Sequence, residues 1–291
     1  MPEQPTFTQI AELFQRELPR VKPTPSQLRA KKKEGSDAAE SEELGRQSLN
    51  DGDYETAIRH FKKACEQRGE PNPDTLVDLG SAYDYADQAP QALRQYEKAL
   101  RVQRDAPEPH LGLSDIYKRY GRFRDAIEKL QKAIELEPGN AFYRIKPAET
   151  FREMGEPTRA LEAAHAAVVA APDQSFYHYW IGDLLIELGR YEEALESLRA
   201  AIELSPGDDF LYQRACVAFW RTGRKQEAIK AIRLASDLDP EKNVYHGMLE
   251  LLLSETEMTV EADLEQERAS KMDRYDKEIL KRLAAEMGLY E

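Results

Sequence analysis

Residues 175–208 read SFYHYWIGDLLIELGRYEEALESLRAAIELSPGD, and this stretch is the most informative about the fold. It falls into two halves separated by Gly189, a residue type that tolerates the left-handed backbone needed to end a helix. Small residues stand at Gly182, Ala194 and Ala201, where larger side chains would hold two packed helices apart. The stretch therefore predicts a helix, a tight turn and a second helix packed closely on the first.

The same pattern recurs along most of the chain at a spacing of 34 residues, with one step of 35 between the first two copies. Three columns of small residues set the register: Gly45, Gly80, Ser114, Ala148, Gly182 and Cys216; Ala57, Ala92, Ala126, Ala160, Ala194 and Ala228; Ala64, Ala99, Ala133, Ala167, Ala201 and Ala235. A turn column and closing prolines complete it: Gly52, Asp87, Gly121, Gly155, Gly189 and Gly223; Pro138, Pro172, Pro206 and Pro240. Because one helical pair cannot bury its apolar face alone, neighbouring copies must stack on a continuous core.

Two stretches carry the likeness to a known family: Leu79-Gly80-Ser81-Ala82-Tyr83, and Gly189-Arg190-Tyr191-Glu192-Glu193-Ala194. With the closing proline they resemble the tetratricopeptide repeat. The resemblance implies an all-α fold, a right-handed α-solenoid of helix-turn-helix repeats that serves as a non-catalytic protein-binding scaffold. It covers six copies: 38–72, 73–106, 107–140, 141–174, 175–208 and 209–242.

Composition narrows the class of ligand. Apolar residues make up 41% of the 291 residues, enough for a continuous core. The net charge of −13 argues against nucleic acid as the main ligand, because phosphate binding relies on clustered Lys and Arg. Cys65 and Cys216 lie in different copies, so a disulfide framework is not expected. With no leader pattern and no apolar run of about 18 residues, we expect a cytosolic protein.

Both ends differ from the repeats. Residues 1–37 carry seven basic and five acidic side chains and predict a short helix followed by a basic, flexible arm. This arm could dock on the first copy, anchor the protein to a partner or a membrane surface, remain disordered, or fold into the acidic groove as an internal inhibitor. Residues 243–291 predict a partial seventh copy without its second half, then one long charged helix over 259–287. That helix either caps the solenoid or forms a coiled-coil dimer contact; its apolar residues are Leu264, Met272, Tyr275, Ile279, Leu283 and Met287.

No motif in the sequence supports catalysis. Phosphate loops, dinucleotide fingerprints and nucleophile elbows are missing, so we expect neither an enzyme nor a small-molecule substrate or cofactor. His110, His178 and His246 share one repeat position, which packing explains better than metal ligation. We therefore predict no metal site.

The resemblance places the ligand groove on the first helices of the copies, at their second, fifth, sixth, ninth, twelfth and thirteenth positions. Transferred to this sequence, those positions give a charged half and an aromatic half: Lys118, Arg119, Lys146, Glu149 and Arg152; Phe176, Tyr179, Trp180, Asp183, Phe210, Arg214, Trp220 and Arg221. Trp, Tyr and Arg dominate binding energy at protein interfaces. We therefore assign Trp180 and Trp220 to the ligand surface, while Phe176 and Phe210 could instead pack the edge of the next copy.

The leading hypothesis is a scaffold or assembly factor that binds a peptide or helix of another protein. One alternative is a chaperone-tail adaptor, in which Lys, Arg and Asn side chains clamp a terminal carboxylate; only Arg214 fits that pattern. Another is a helical-repeat RNA binder, with phosphate contacts from Lys118, Arg119 and Arg152 and base stacking on Trp180. The carboxylates of Asp115, Glu149 and Asp183 oppose it.

Pro147 departs from the repeat, because proline within a first helix removes a hydrogen bond to the carbonyl of Tyr143. We predict that this helix starts late or kinks, and we hypothesise that the groove widens there.

Overall fold

The computed structural model describes residues 36–68 and 72–289. Fifteen α-helices and no strands occur in these two ranges, so the predicted all-α repeat fold is confirmed. The helices are α1 Ser36–Asn50, α2 Tyr54–Arg68, α3 Pro73–Tyr85, α4 Ala89–Val102, α5 Pro107–Arg119, α6 Phe123–Leu136, α7 Ala141–Glu153, α8 Pro157–Ala170, α9 Ser175–Glu187, α10 Tyr191–Leu204, α11 Asp209–Arg221, α12 Lys225–Leu238, α13 Asn243–Glu255, α14 Thr259–Ala269 and α15 Arg274–Glu286. The predicted N-terminal helix and most of the basic arm lie outside the described residues.

The described residues form two compact units, which divide between Val102 and Gln103. In the first unit α1 pairs with α2 and α3 with α4, and α2 also packs on α3. A Cβ added to Gly45 would lie 2.7 Å from Phe61 Cε1, and one added to Gly80 would lie 2.7 Å from Tyr96 Cε1. The first small column is therefore small because a large side chain of the second helix fills the space.

A buried carboxylate links the helices of the first unit. Glu42 of α1 is 3% exposed and accepts hydrogen bonds from both Arg68 Nε and Nη2 at 2.9 Å, as well as one from Thr75 Oγ1. Burial raises the pKa of Glu42, but the Arg68 and Thr75 hydrogen bonds outweigh it and leave that pKa below its ordinary value.

The second unit repeats the same arrangement five times, from α5/α6 to α13/α14, and each second helix packs on the next first helix. A Cβ on Gly182 would lie 2.7 Å from Leu198 Cγ, as in the first unit. The turn column also behaves as its residue types predict. Its members have positive φ between 56° and 79°: Gly52, Asp87, Gly121, Gly155, Gly189 and Gly223.

The repeat position that includes His178 and His246 has a packing role. Side chains at the fourth position of four copies contact the carbonyl of the proline that closes the preceding copy, at 2.6–3.4 Å. The pairs are Arg144–Pro138, His178–Pro172, Tyr212–Pro206 and His246–Pro240. These contacts provide a partner for main-chain carbonyls at the ends of second helices, where no intrahelical donor remains.

The C-terminal region differs from the sequence prediction. Residues 259–287 form two helices rather than one, because Asp273 starts α15 with a capping box shared with Asp276. In addition, α14 pairs with α13, and its buried Ala262 and Ala269 continue the second and third small columns. We therefore propose that residues 243–269 form a complete seventh copy, whose turn residue is Glu257.

Glu257 offers a test of this turn. Its φ is 61°, in the region that costs an L-residue about 1–2 kcal/mol, and its amide bonds the carbonyl of Ser254 as Gly189 bonds that of Ile186. Glu257→Gly should raise the free energy of unfolding by about 0.5–1 kcal/mol in a urea titration. Glu267→Gly, within the exposed face of α14, should lower it by about 1 kcal/mol. Equal losses in both variants would contradict the turn assignment.

The structure contradicts one of the two predictions for Pro147, namely that its helix starts late. Helix α7 begins at Ala141, where the Asn140 side chain accepts from the amides of Phe142 and Tyr143, and it continues through Pro147 to Glu153. Ion pairs join α7 to both neighbouring first helices, as described below, and a groove widened at Pro147 stays a hypothesis.

None of the helices in the described ranges is long and apolar enough to cross a bilayer.

Candidate functional site

Charged side chains of successive first helices meet along one surface of the second unit. Lys118 Nζ of α5 lies 2.8 Å from Glu149 Oε2 of α7, and Arg152 Nη1 of α7 lies 2.9 Å from Asp183 Oδ2 of α9. Asp183 Oδ1 lies 2.6 Å from Arg214 Nη2 of α11. We call this row the charged ladder; its members are Lys118, Lys146, Glu149, Arg152, Asp183, Glu187 and Arg214.

The centre of the ladder is buried. The side chains of Asp183 and Arg214 are only 4% and 6% exposed. Burial opposes ionisation of Asp183, but the guanidinium groups of Arg214 and Arg152 outweigh it and keep the pKa of this carboxyl below its ordinary value. Asp183 is therefore an anion held between two cations.

Glu149 repeats this arrangement one copy earlier. Its Oε2 accepts from Lys118 Nζ, while Lys146 Nζ lies 3.8 Å from Oε1. Burial raises the pKa of Glu149, but the charges of Lys146 and Lys118 lower it by more. In the same way, burial disfavours the ammonium of Lys118, yet Glu149 and Asp115 leave its pKa above the ordinary value. Each charged side chain in this part of the ladder therefore lies next to one of opposite sign.

The outer edge of the ladder reaches solvent. Glu187 Oε1 lies 2.7 Å from Arg152 Nη2, with 36% of its side chain exposed, and Glu153 is 45% exposed. Burial is the larger influence on Glu187 and raises its pKa despite the nearby Arg152. Arg119, at the end of α5, is exposed. These side chains form the exposed edge of the ladder.

Helix α15 covers the other end of the ladder. Glu286 Oε2 lies 2.6 Å from Arg214 Nη1, and the main-chain oxygen of Glu286 accepts from Arg221 Nη1 at 2.8 Å. Arg214 therefore holds a carboxylate on each side, Asp183 from its own array and Glu286 from the C-terminal helix.

The structure corrects the assignment of the tryptophans to a ligand surface. Trp180 is 0% exposed, with Phe176 edge-on to its ring at 6.4 Å and the Arg152 guanidinium 5.9 Å from its centroid. Trp220 is 8% exposed, and Lys225 Nζ lies 4.9 Å from its ring centroid. Large aromatic area at close-packed helix contacts is used here for stability.

The remaining predicted residues divide by exposure. Tyr179 is buried and its ring lies 5.4 Å from that of Phe210, which is half-buried, as is Phe176. Lys146 is buried, while Arg119 and Arg221 are exposed. The structure brings the charged residues from Lys118 to Arg214 into one row, whereas it buries Tyr179 and both tryptophans of the aromatic half.

Sequence reasoning missed two residues of this surface, Glu187 and Glu286. Glu187 stands at a groove position of the fifth copy and could have been included. Glu286 lies outside the repeats, so its contact with Arg214, 72 residues earlier, has no periodic signal. Within the described ranges no group of three His, Cys, Asp or Glu side chains is placed to hold a metal ion.

The family follows from comparison with known proteins. Two family profiles, both described as tetratricopeptide repeat, match the sequence, one at residues 77–141 and 148–209 and the other at residues 185–252. The chain therefore belongs to the tetratricopeptide repeat family, which is generally a protein-interaction fold. A search of curated proteins found no match.

Solved structures agree on the fold. A tetratricopeptide repeat protein from Parabacteroides merdae is 17% identical, with a TM-score of 0.59, and the match covers 87% of this chain and all of that one. Cut9 with Hcn1 from an APC/C hetero-tetramer gives 16% identity and a TM-score of 0.57, covering 74% of this chain and 43% of that one. YrrB, described as a TPR protein with an unusual peptide-binding site, is 22% identical, with a TM-score of 0.50. That match covers 62% of this chain and 93% of YrrB. At these identities the likeness concerns the fold alone.

Proposed function

We propose that this protein is a non-catalytic scaffold that binds a peptide or helix of another protein along the first helices of its second unit, and that it serves in assembly of a multiprotein complex. The charged ladder is the observation that carries the proposal. Its buried members neutralise one another, whereas three residues present both signs of charge at its exposed edge. We call this edge the rim; its residues are Arg119, Glu153 and Glu187. Alternating charge at a rim favours partner selection and orientation more than raw affinity.

The similar structures support protein binding only through their fold. YrrB is described by its peptide-binding site and Cut9 by its complex with Hcn1, and we extend protein binding, not those partners, to this chain. A cytosolic location is part of the proposal, since Cys65 and Cys216 are both free thiols.

The contacts of the ladder favour protein over RNA as the ligand. Lys118 and Arg152, two of the three proposed phosphate contacts, lie within 2.9 Å of Glu149 and Asp183, while the third, Arg119, is exposed. Trp180 is enclosed and offers no face for base stacking. Likewise Arg214, the one residue that fits a carboxylate clamp, already binds Asp183 and Glu286.

Affinity capture with mass spectrometry tests the proposal. The double variant Arg119→Glu, Glu153→Lys reverses two exposed charges at the rim and should reduce recovery of the specific partner at least about tenfold, as expected from losing about 1.4 kcal/mol of binding. The matched control, Arg124→Glu with Glu162→Lys, makes the same changes on exposed positions of second helices and should capture as the wild type does.

Two outcomes would count against the proposal. If the rim variant and the control retain the same proteins, the ladder does not form the binding surface. If the wild type instead captures RNA, with affinity that falls steeply as salt rises, the RNA-binding alternative replaces it.

A further inference from the structure

The last helix lies over residues that the repeat pattern assigns to the ligand groove. Arg214 and Arg221 of α11 both bind Glu286, one through its carboxylate at 2.6 Å and one through its main-chain oxygen at 2.8 Å. Both arginines stand at groove positions of the sixth copy. Helix α15 therefore sits where a ligand of that copy would sit.

Gly247 makes room for this helix. It occupies the fifth position of its copy, where the two preceding copies have Tyr179 and Gln213. A Cβ added to Gly247 would lie 2.8 Å from Met272 Cε and 2.9 Å from Leu280 Cδ2, closer than side-chain atoms pack. The groove is thus shaped to accept an apolar helix face against bare backbone.

Helix α15 is held lightly compared with the helices beneath it. Its buried residues are Leu283 and Ala284, with Met287 following, whereas α13 contains eight buried residues. Tyr275 is 53% exposed, and residues 270–273 link α15 to the array without helical structure. Elements with few buried apolar contacts open locally at low free energy while the rest of the fold persists.

The contacts of α15 define which chemical groups another occupant of this groove must carry. Without α15, Arg214 would keep Asp183 on one side, while the side now held by Glu286 would be a guanidinium edge that faces the open groove without a carboxylate. A replacement helix that buries this edge again must pair its charge, and a planar guanidinium selects a carboxylate over other groups. An occupant must therefore supply both an apolar helix face and an acidic side chain in its last turn.

We propose that α15 is an exchangeable occupant of this groove, and that the partner is an amphipathic α-helix with a Leu/Met face and a carboxylate at the place of Glu286. This inference rests on the proposed function and specifies the partner chemistry. A tethered helix has an effective concentration on the order of 1 mM. Against it, a free helix of identical sequence with an intrinsic Kd of about 10 µM binds the wild-type chain about 100-fold more weakly.

The probe for the test is a fluorescein-labelled peptide of residues 271–289, measured by anisotropy against the full chain. In the variant Leu283→Asp, Glu286→Gln the chain's own helix loses its apolar seat and its ion pair. This variant should bind the peptide at least about tenfold more tightly than the wild type does. A peptide with Glu286→Gln should bind the same variant at least about fivefold more weakly.

The control variant Lys277→Asp, Glu278→Gln changes exposed residues of the same helix and should bind the peptide as weakly as the wild type. Far-UV circular dichroism checks that all chains keep their helicity. Equal peptide affinity for the wild type and the Leu283 variant, no binding to that variant, or equal binding of both peptides would overturn the inference. A wild-type dimer that dissociates on the Leu283 change would assign the groove to a second copy and overturn it too.

The two proposals can fail separately. Loss of a captured partner from the rim variant supports the scaffold function even if the peptide does not bind. Peptide binding with unchanged capture would support the groove under α15 and reject the exposed rim as the main binding surface.

Discussion

Replacing Trp180 by alanine is expected to lower the free energy of unfolding by about 3–5 kcal/mol. The side chain is 0% exposed and packs against Phe176 and the guanidinium of Arg152, so its removal leaves a cavity at the centre of the second unit. Arg152 would also lose the ring next to its contact with Asp183. Urea unfolding followed by far-UV circular dichroism measures the change.

The control for this prediction is Tyr120→Ala, which removes an aromatic ring that is 63% exposed and should change stability by no more than about 0.5 kcal/mol. A Trp180→Ala chain as stable as the control would mean that the ring is accessible and would restore it to the ligand surface. If Trp180→Ala destabilises the fold as expected, loss of a partner in that variant would report misfolding and not a lost contact. Binding tests should therefore use the rim residues.

Asp183→Ala is the second large effect, with an expected loss of about 3–5 kcal/mol. The substitution leaves Arg152 and Arg214 in a buried site without the carboxylate that lies 2.9 and 2.6 Å from them. Breaking one member of a buried ion network is costly because the remaining charges cannot recover their hydration. Glu162→Ala, an exposed carboxylate on α8, is the control and should stay within about 0.5 kcal/mol of the wild type.

The stability difference between the wild type and Asp183→Ala should depend on pH and become smaller as the pH falls. The pKa of Asp183 is lower in the folded chain than in the unfolded chain, so the unfolded chain takes up the proton first as the pH falls. The stability that the ionised carboxylate contributes is complete above its ordinary pKa of about 4 and is lost below it. The gap between wild type and Asp183→Ala should therefore narrow as the pH is lowered from 7 towards about 3. A gap independent of pH would show that packing, not charge, makes Asp183 important.

Much of the fold could be predicted from the sequence because a repeat states each packing rule several times. Gly45, Gly80 and Gly182 stand in one column, and each faces a large side chain of its paired helix in the same way. The turn column predicts positive φ, and the backbone has it. The end of the array was harder to predict, since Glu257 takes a turn conformation that sequence alone assigns to glycine.

The candidate site was predictable only in part. The sequence determined that first-helix positions from Lys118 to Arg214 share one surface, because their spacing follows the repeat. It did not determine which of them face solvent, and it placed Trp180 on the ligand surface although the ring is buried.

The periodic pattern in the sequence is therefore enough to predict the repeat: the helix pairs, their turns and the small residues between them, all of which depend on neighbours within about one copy. The ion pairing of Arg152, Asp183 and Arg214, and the contact of Glu286 with Arg214, became visible only in the folded chain. These two kinds of contact differ in how far apart their residues lie along the chain. Contacts within a copy repeat along the chain and leave a periodic pattern, whereas one contact across 72 residues occurs once and leaves none.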